Sequence, residues 1–269
     1  MKSHWDRLQT QRFEIKYLVN ATTAWRVRDS LATHLLLDEY SQAQPHHAYP
    51  VYSLYLDSDA RQLYWDTING NRNRYKLRVR YYDTAPEAPL FLEIKSRLND
   101  AILKKRAIVS QAALADILAG RMPDESLVKH QNGNGSSELE DFVMRIRHLV
   151  ARPAALVTYH RKAWCHPENN SLRITIDNAV NYQPMEDVSW PPITGDAVPV
   201  FGEWSVLEIK FTSRYPNWVG DLIRKFDLRQ CSAAKYVDGA TRSGGLAPAD
   251  VAMRRLDAGA LACRKSFSL

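Results

Sequence analysis

The sequence predicts an α+β fold in which an antiparallel sheet or barrel dominates. Many short segments alternate apolar and polar residues with period two and are rich in Val, Ile, Tyr and Phe. Most of them follow one another without a long helix between, whereas a parallel sheet needs a crossover after each strand. A few amphipathic stretches with cap signals supply the helices. With 269 residues, 45% hydrophobic and 25% charged, the chain has the make-up of a globular protein. That composition excludes wholesale disorder, collagen and coiled coil.

The strand candidates are Arg12 to Val19, Val51 to Asp57, Arg74 to Tyr82, Leu90 to Ser96, Ile102 to Val109, Ala154 to Trp164, Leu172 to Val180 and Ser205 to Thr212, eight in all. A first helix is expected from Thr22 to Leu37, with Trp25, Leu31 and Leu35 at helical spacing. Ser58 as N-cap and Gly70 as stop bracket a short helix from Ala60 to Ile68. Ser137 and Glu140 form a capping box ahead of the stripe Leu139, Phe142, Val143, Ile146, Leu149 and Val150. Pro216 opens a helix carrying Trp218, Val219, Leu222, Ile223 and Phe226, and another helix starts after Ser232. Trp25, Trp218 and Phe226 are expected in the core.

Strand candidates lie on both sides of the loop HQNGNGS and no repeat is present, so a single domain over 1–269 is expected. Its core spans about 12–240, and 241–269 form a tail with one helix from Pro248 to Arg264. Cys165, Cys231 and Cys263 are widely spaced and odd in number, as reduced thiols are. The opening residues are charged where a signal peptide is apolar, and no apolar run reaches membrane-spanning length. A cytoplasmic protein without a membrane segment is expected. His46, His47, His160 and His166 have the settings of surface or packing residues, and NGNGSS lacks the lysine and strand of a phosphate-binding loop.

Alternation also assigns charge to faces. Counting one face of each strand gives the cations Lys16, Arg78, Arg80, Lys95, Lys104, Arg106, Arg161, Arg173 and Lys210, against the acids Glu14, Glu93, Asp177 and Glu208. This surplus nearly accounts for the net charge of +6. One reading is a sheet with its charged face in water, where cross-strand pairs are of small energetic value. The other is a barrel with these side chains inside, balanced by a polyanion, and with helices covering its apolar outside.

The runs RFEIKYLV, YSLYLDS, KLRVRYY, LEIKS, LKKRAIV, VTYHRKAW, RITID, VLEIKF and SAAKYVDG occur in the order and spacing of a known family. From Arg12 to Ala240 the chain resembles the VTC domain, the polyphosphate polymerase domain of the vacuolar transporter chaperone complex, one of the triphosphate tunnel metalloenzymes related to the CYTH group. The resemblance implies an eight-stranded antiparallel tunnel whose basic interior holds a triphosphate or polyphosphate. It places Lys16, Arg78, Arg80, Lys95, Lys104, Arg106, Arg161, Arg173, Lys210 and Lys235 on phosphate, with Lys105 replacing Lys104 if the register slips by one. Glu208 resembles the metal-binding glutamate of the family, with Glu14 and Glu93 as further candidates for Mn²⁺ or Mg²⁺. Two departures stand out. Arg12 replaces the first of the alternating glutamates found in CYTH relatives, and Ala234 stands where the family often has a second hydroxyl residue before the lysine.

The expected chemistry is metal-dependent phosphoryl transfer from ATP or another triphosphate, with polyphosphate as product and Glu208, Lys210 and Arg80 carrying the reaction. Such transfer needs positioning and charge neutralisation more than covalent catalysis. If water replaces the phosphate chain as nucleophile, the same site is a tripolyphosphatase. Tyr82 or Tyr215 could stack an adenine, or each is ordinary packing. A non-catalytic polyphosphate- or RNA-binding module is the alternative of another class; DNA is not an expected partner. RNA would favour a basic stripe with exposed aromatics, whereas these cations occupy alternate strand positions.

Overall fold

A computed structural model describes residues 11–99, 101–129, 135–168, 171–186, 190, 192 and 195–244. In chain order these form β1 (Gln11–Val19), α1 (Ala21–Leu31), β2 (Leu36–Leu37), α2 (Glu39–Gln42), β3 (Tyr49–Asp57) and α3 (Gln62–Ile68). The central run is β4 (Asn73–Tyr81), β5 (Leu90–Leu98), β6 (Ala101–Val109), α4 (Leu114–Leu118), β7 (Val128–Lys129) and α5 (Gly135–Leu149). Then come β8 (Arg152–Cys165), β9 (Leu172–Pro184), β10 (Val198–Pro199), β11 (Ser205–Phe211), α6 (Asn217–Lys225) and α7 (Lys235–Arg242). All eight expected strands are present in an α+β, antiparallel arrangement. The described strands number eleven because β2, β7 and β10 have two residues each, too few for an alternation to be visible.

The chain divides into two compact units. The described part of the first comes from 11–49, 159–181 and 198–244, and that of the second from 50–158 and 182–197. In the second unit the antiparallel order is β7-β6-β5-β4-β3. The residues facing one way, Leu54, Leu56, Leu77, Val79, Leu92, Ile94 and Ala107, pack with Leu139, Phe142, Val143, Ile146 and Leu149 of α5. The stripe read from the sequence is therefore the buried face of that helix, except Val150, which lies past its end and is 63% exposed. In the first unit β1 pairs with β11 and β11 with β9, all antiparallel. Here Tyr17, Leu172, Ile174, Ile176, Leu207 and Ile209 form a second apolar cluster with Val27 and Leu31 of α1 and Val219 and Leu222 of α6.

Four local expectations need correction. Helix α5 is already helical at Gly135, so Ser137 lies inside it rather than capping it. Helix α1 stops at Leu31 rather than Leu37; Leu35 remains buried, but Leu36 and Leu37 extend to pair with Cys165 and Trp164 of β8. Trp25 is 57% exposed. It lies two residues before Val27, about 200° around a helix that Val27 and Leu31 fix on the sheet. The principal cap of α3 is Asp57 rather than Ser58: its carboxylate accepts from the Leu63 and Tyr64 amides at 2.9 and 3.0 Å, while Ser58 accepts only from Gln62. The helices after Pro216 and Ser232 form as expected, and Trp218 and Phe226 are partly buried against the first unit's core. The expected helix from Pro248 to Arg264, Cys263 and most of the loop HQNGNGS lie outside the described residues. Among the described residues, no helix is long and apolar enough to cross a membrane.

The contrast between Phe142 and Trp25 is measurable. Phe142→Ala should cost about 3–5 kcal/mol through the cavity it leaves, and Trp25→Ala no more than about 0.5 kcal/mol, as read by urea unfolding.

Candidate functional site

At their centres the charged strand faces are buried rather than solvated. Glu93 and Asp177 are 0% exposed, Glu208 4%, Arg80 5%, and Arg161 and Lys235 8% each. This overturns the reading of a sheet with one face in water. Each unit carries its own cluster, and the two differ in composition.

In the second unit the ladder sets charged residues in rows. Arg78, Glu93 and Arg106 lie opposite one another, as do Lys76, Lys95 and Lys104 in the next row and Arg74 and Arg97 in the row beyond. Glu93 is at the centre. Its Oε2 accepts from Arg78 at 2.6 Å and lies 3.6 Å from Arg80; its Oε1 accepts from Arg106 at 2.6 Å and Lys104 at 2.7 Å. Burial alone would raise this carboxyl, but Lys104, Arg78, Arg80 and Arg106 outweigh burial and hold it well below the ordinary carboxylate range. From β3, Ser53 accepts from Arg80 and the Tyr55 hydroxyl accepts from Arg78, both at 3.3 Å. Burial works against ionisation of Tyr55 too, yet Arg78, Lys76 and Arg80 bring its phenol down to about 8. The register also separates the two lysines: Lys104 faces Lys95, whereas Lys105 faces Ile94 and pairs with Asp141 of α5 at 2.9 Å.

In the first unit the rows are Glu14, Lys210 and Arg173, then Lys16, Glu208 and Thr175. Glu208 accepts from Lys210 at 2.6 Å and Lys235 at 2.8 Å, with Arg161 at 3.5 Å and Lys16 at 3.8 Å. Asp177 takes a two-pronged contact from Arg161 at 2.6 and 2.7 Å and a third from Lys235 at 2.7 Å. Lys16 also reaches Glu14 at 3.2 Å. Burial would raise the Glu208 carboxyl, but Lys210, Lys235, Lys16 and Arg161 hold it well below its usual range. Lys235 shifts the other way: Asp177 and Glu208 more than offset its burial and raise it. Tyr159 presents its ring to both Arg161 and Lys235, at 5.2 and 5.0 Å. Arg173 turns aside to Asp38 at 2.6 Å and the Tyr49 hydroxyl at 3.4 Å. At the departure before Lys235, the Ala234 amide donates to Asp238 at 2.6 Å, so α7 begins with that donor satisfied by an acid rather than beside a hydroxyl.

Sequence reasoning did not single out Lys76, Arg74, Arg97, Tyr55 or Asp177 as site residues. The signal for Lys76 was present, since KLRVRYY begins with a lysine in phase with Arg78 and Arg80. Of the two aromatic candidates, Tyr82 packs edge-on against Phe91. Tyr215 packs edge-on against Phe211 and lines a cavity of about 460 Å³ with Arg214, Asn217 and Arg224. Phe211 points away from the face that carries Lys210, so this cavity is not part of the charged face.

Among the described residues, no three His, Cys, Asp or Glu side chains converge as a ready-made metal cage. A hard cation at a phosphate site needs only one or two carboxylates, the rest of its shell coming from phosphate and water. Glu208, linked to Glu14 through Lys16, suits such a cation. Glu93 has four cations about it and no second carboxylate among its ion pairs.

Residues 11–243 match the VTC domain. The chain belongs to the VTC domain family. No curated protein matches the sequence. Among solved structures this VTC domain is similar to an adenylate cyclase-like protein of Bacillus halodurans, at 14% identity over 82% of this chain and 92% of that one, with a TM-score of 0.46. It is also similar to the Mimivirus capping enzyme triphosphatase, at 11% identity over 81% and 89%, with a TM-score of 0.33.

Two outcomes follow for the second unit. Glu93→Gln strands several cations and should destabilise the protein by about 3–5 kcal/mol at neutral pH. Because the folded-state pKa of Glu93 is depressed, its contribution is fully present above the unfolded value of about 4.3 and is lost as pH falls, so the gap to Glu93→Gln should narrow below about pH 4 in thermal unfolding. Tyr55 ionises in the folded protein at about 8, against about 10 unfolded, so folding stability should rise with pH between those values. Ultraviolet titration should find one phenolate forming near pH 8, absent in Tyr55→Phe and displaced upward by tripolyphosphate.

Proposed function

We propose that this VTC domain transfers phosphoryl groups from a nucleoside triphosphate, with ATP as donor and polyphosphate as product. The observation that carries the reading is the face of β4, β5 and β6, where a single acid, Glu93, lies among Arg78, Arg80, Lys104 and Arg106, with Lys76 and Lys95 in the adjoining row. Cations gathered this closely repel one another, and a phosphate chain relieves that repulsion more fully than one carboxylate can. The guanidinium groups of Arg78, Arg80 and Arg106 offer fixed pairs of donors to non-bridging oxygens, and the lysines add mobile point charges. In the first unit Lys16, Arg161, Lys210 and Lys235 stand beside carboxylates, an arrangement suited to reaction as well as to grip, with Arg173 as a further phosphate ligand once released from Asp38.

In the reaction a terminal oxygen of the polyphosphate attacks the γ-phosphorus in line, the bond to the bridging oxygen breaks, and the nucleoside diphosphate leaves with the electron pair. The chain grows by one phosphate. Lys210, beside Glu208, would neutralise the charge that builds on the transferred oxygens, and Arg80 would grip phosphate on the second unit's own face. Glu208, with Glu14, would hold Mn²⁺ or Mg²⁺, which supplies further neutralisation on the phosphate oxygens. Glu93 holds the arginines in place rather than binding metal.

Incubation with γ-labelled ATP and Mn²⁺ or Mg²⁺ tests this. Label should appear in long polyphosphate; label released only as free phosphate would make the protein a triphosphatase instead. Glu208→Gln should retain tripolyphosphate binding while turnover falls about a hundredfold or more. Tight binding without turnover under any divalent metal would leave a polyphosphate-binding module.

A further inference from the structure

We infer that Thr175 is a positioning residue for Glu208, its hydroxyl taking up the carboxylate when a phosphate ligand draws away the lysines that hold it. The inference rests on the reading that phosphate binds beside Glu208. Thr175 lies on β9 directly across the ladder from Glu208, which in turn faces Lys16 on β1. It is 0% exposed, and among the described residues its Oγ1 has no hydrogen-bond partner. A buried hydroxyl with no partner is costly, and valine would fill the same space without that cost. Such a group suggests a second arrangement in which the hydroxyl is used.

The neighbouring carboxylates show what that arrangement is. Asp177 is held by two bonds from Arg161 and one from Lys235. Glu208 takes its short contacts from lysines, Lys210 at 2.6 Å and Lys235 at 2.8 Å, with Arg161 at 3.5 Å and Lys16 at 3.8 Å. These are the flexible cations for which a phosphate competes. As they turn to the ligand, Glu208 loses donors while staying buried, where an unpaired carboxylate is heavily penalised. Side chains directly opposite in an antiparallel pair have Cβ atoms about 4.5–5.5 Å apart, so the Thr175 hydroxyl is within reach. Holding one carboxylate oxygen there leaves the other for a cation bound with the phosphate, as carboxylate ligands are generally hydrogen-bonded in turn.

The test compares wild type, Thr175→Val and Thr175→Ser by calorimetry with tripolyphosphate, with and without Mn²⁺, and by thermal unfolding without ligand. Thr175→Val should unfold no earlier than wild type yet bind tripolyphosphate about tenfold more weakly, and Thr175→Ser should restore binding to within about twofold. Equal affinity of Thr175→Val and wild type in both conditions would overturn the inference. So would a loss of stability alongside binding that Thr175→Ser does not repair, which marks a packing role. If wild type itself fails to bind tripolyphosphate at low salt, the functional reading fails first and the role of Thr175 goes with it.

Discussion

A carboxylate withdrawn from water must be matched by donors on every side, and Glu93 is the residue at which this chain meets that demand most fully. Its oxygens hold Arg78, Arg106 and Lys104 and lie close to Arg80, and through them they orient Tyr55 and Ser53 on the neighbouring strand. The ladder is thus cross-linked by charge on one face and by Leu77, Val79, Leu92 and Ile94 on the other. Around Glu93 neither face is free to meet water, so the middle of each strand is constrained on both sides. The pleat alone decides which residue goes where.

The two charged faces are unlike. In the first unit three acids, Glu14, Asp177 and Glu208, interleave with Lys16, Arg161, Lys210 and Lys235, and charge is close to balance. In the second, the face of β4, β5 and β6 carries Glu93 among a crowd of cations. A cluster near balance can exchange partners, because a lysine that leaves one carboxylate finds another or a ligand. An unbalanced one favours an anion at all times. The two kinds of cluster lie on different strands.

Most of this pattern was visible before any coordinates, since alternation on β1, β4, β5, β6, β9 and β11 follows from the pleat and needs no knowledge of tertiary contacts. The eight long strands and the stripe of α5 were legible for the same reason. Other features depend on contacts that no local pattern encodes. Trp25 looked like core because aromatic residues at helical spacing usually are, but Val27 and Leu31 set the buried face. Asp57 could not be told from Ser58 as a cap until the approach of β3 to α3 was fixed. Arg173 shares the parity of the cluster, yet Asp38, far away in sequence, draws it aside. Alternation sets Thr175 on the charged face with Arg173 and Asp177, but an unpartnered hydroxyl becomes evident only when every neighbour is in place.

The adjacent lysines of β6 bear on how reliably this ladder assembles. Lys104 serves the charged face and Lys105 pairs with Asp141 over the apolar one, so a strand displaced by one residue would still offer a lysine to each side. At this point the two alignments are nearly degenerate. Discrimination falls on the next residues, where Arg106 meets Glu93 and Ala107 meets Leu92; displaced, the guanidinium would be forced among leucines and a methyl group would face the carboxylate. The Arg106–Glu93 ion pair and the burial of Ala107 against Leu92 together hold the hairpin to one register, and the lysine pair beside them adds nothing to that choice.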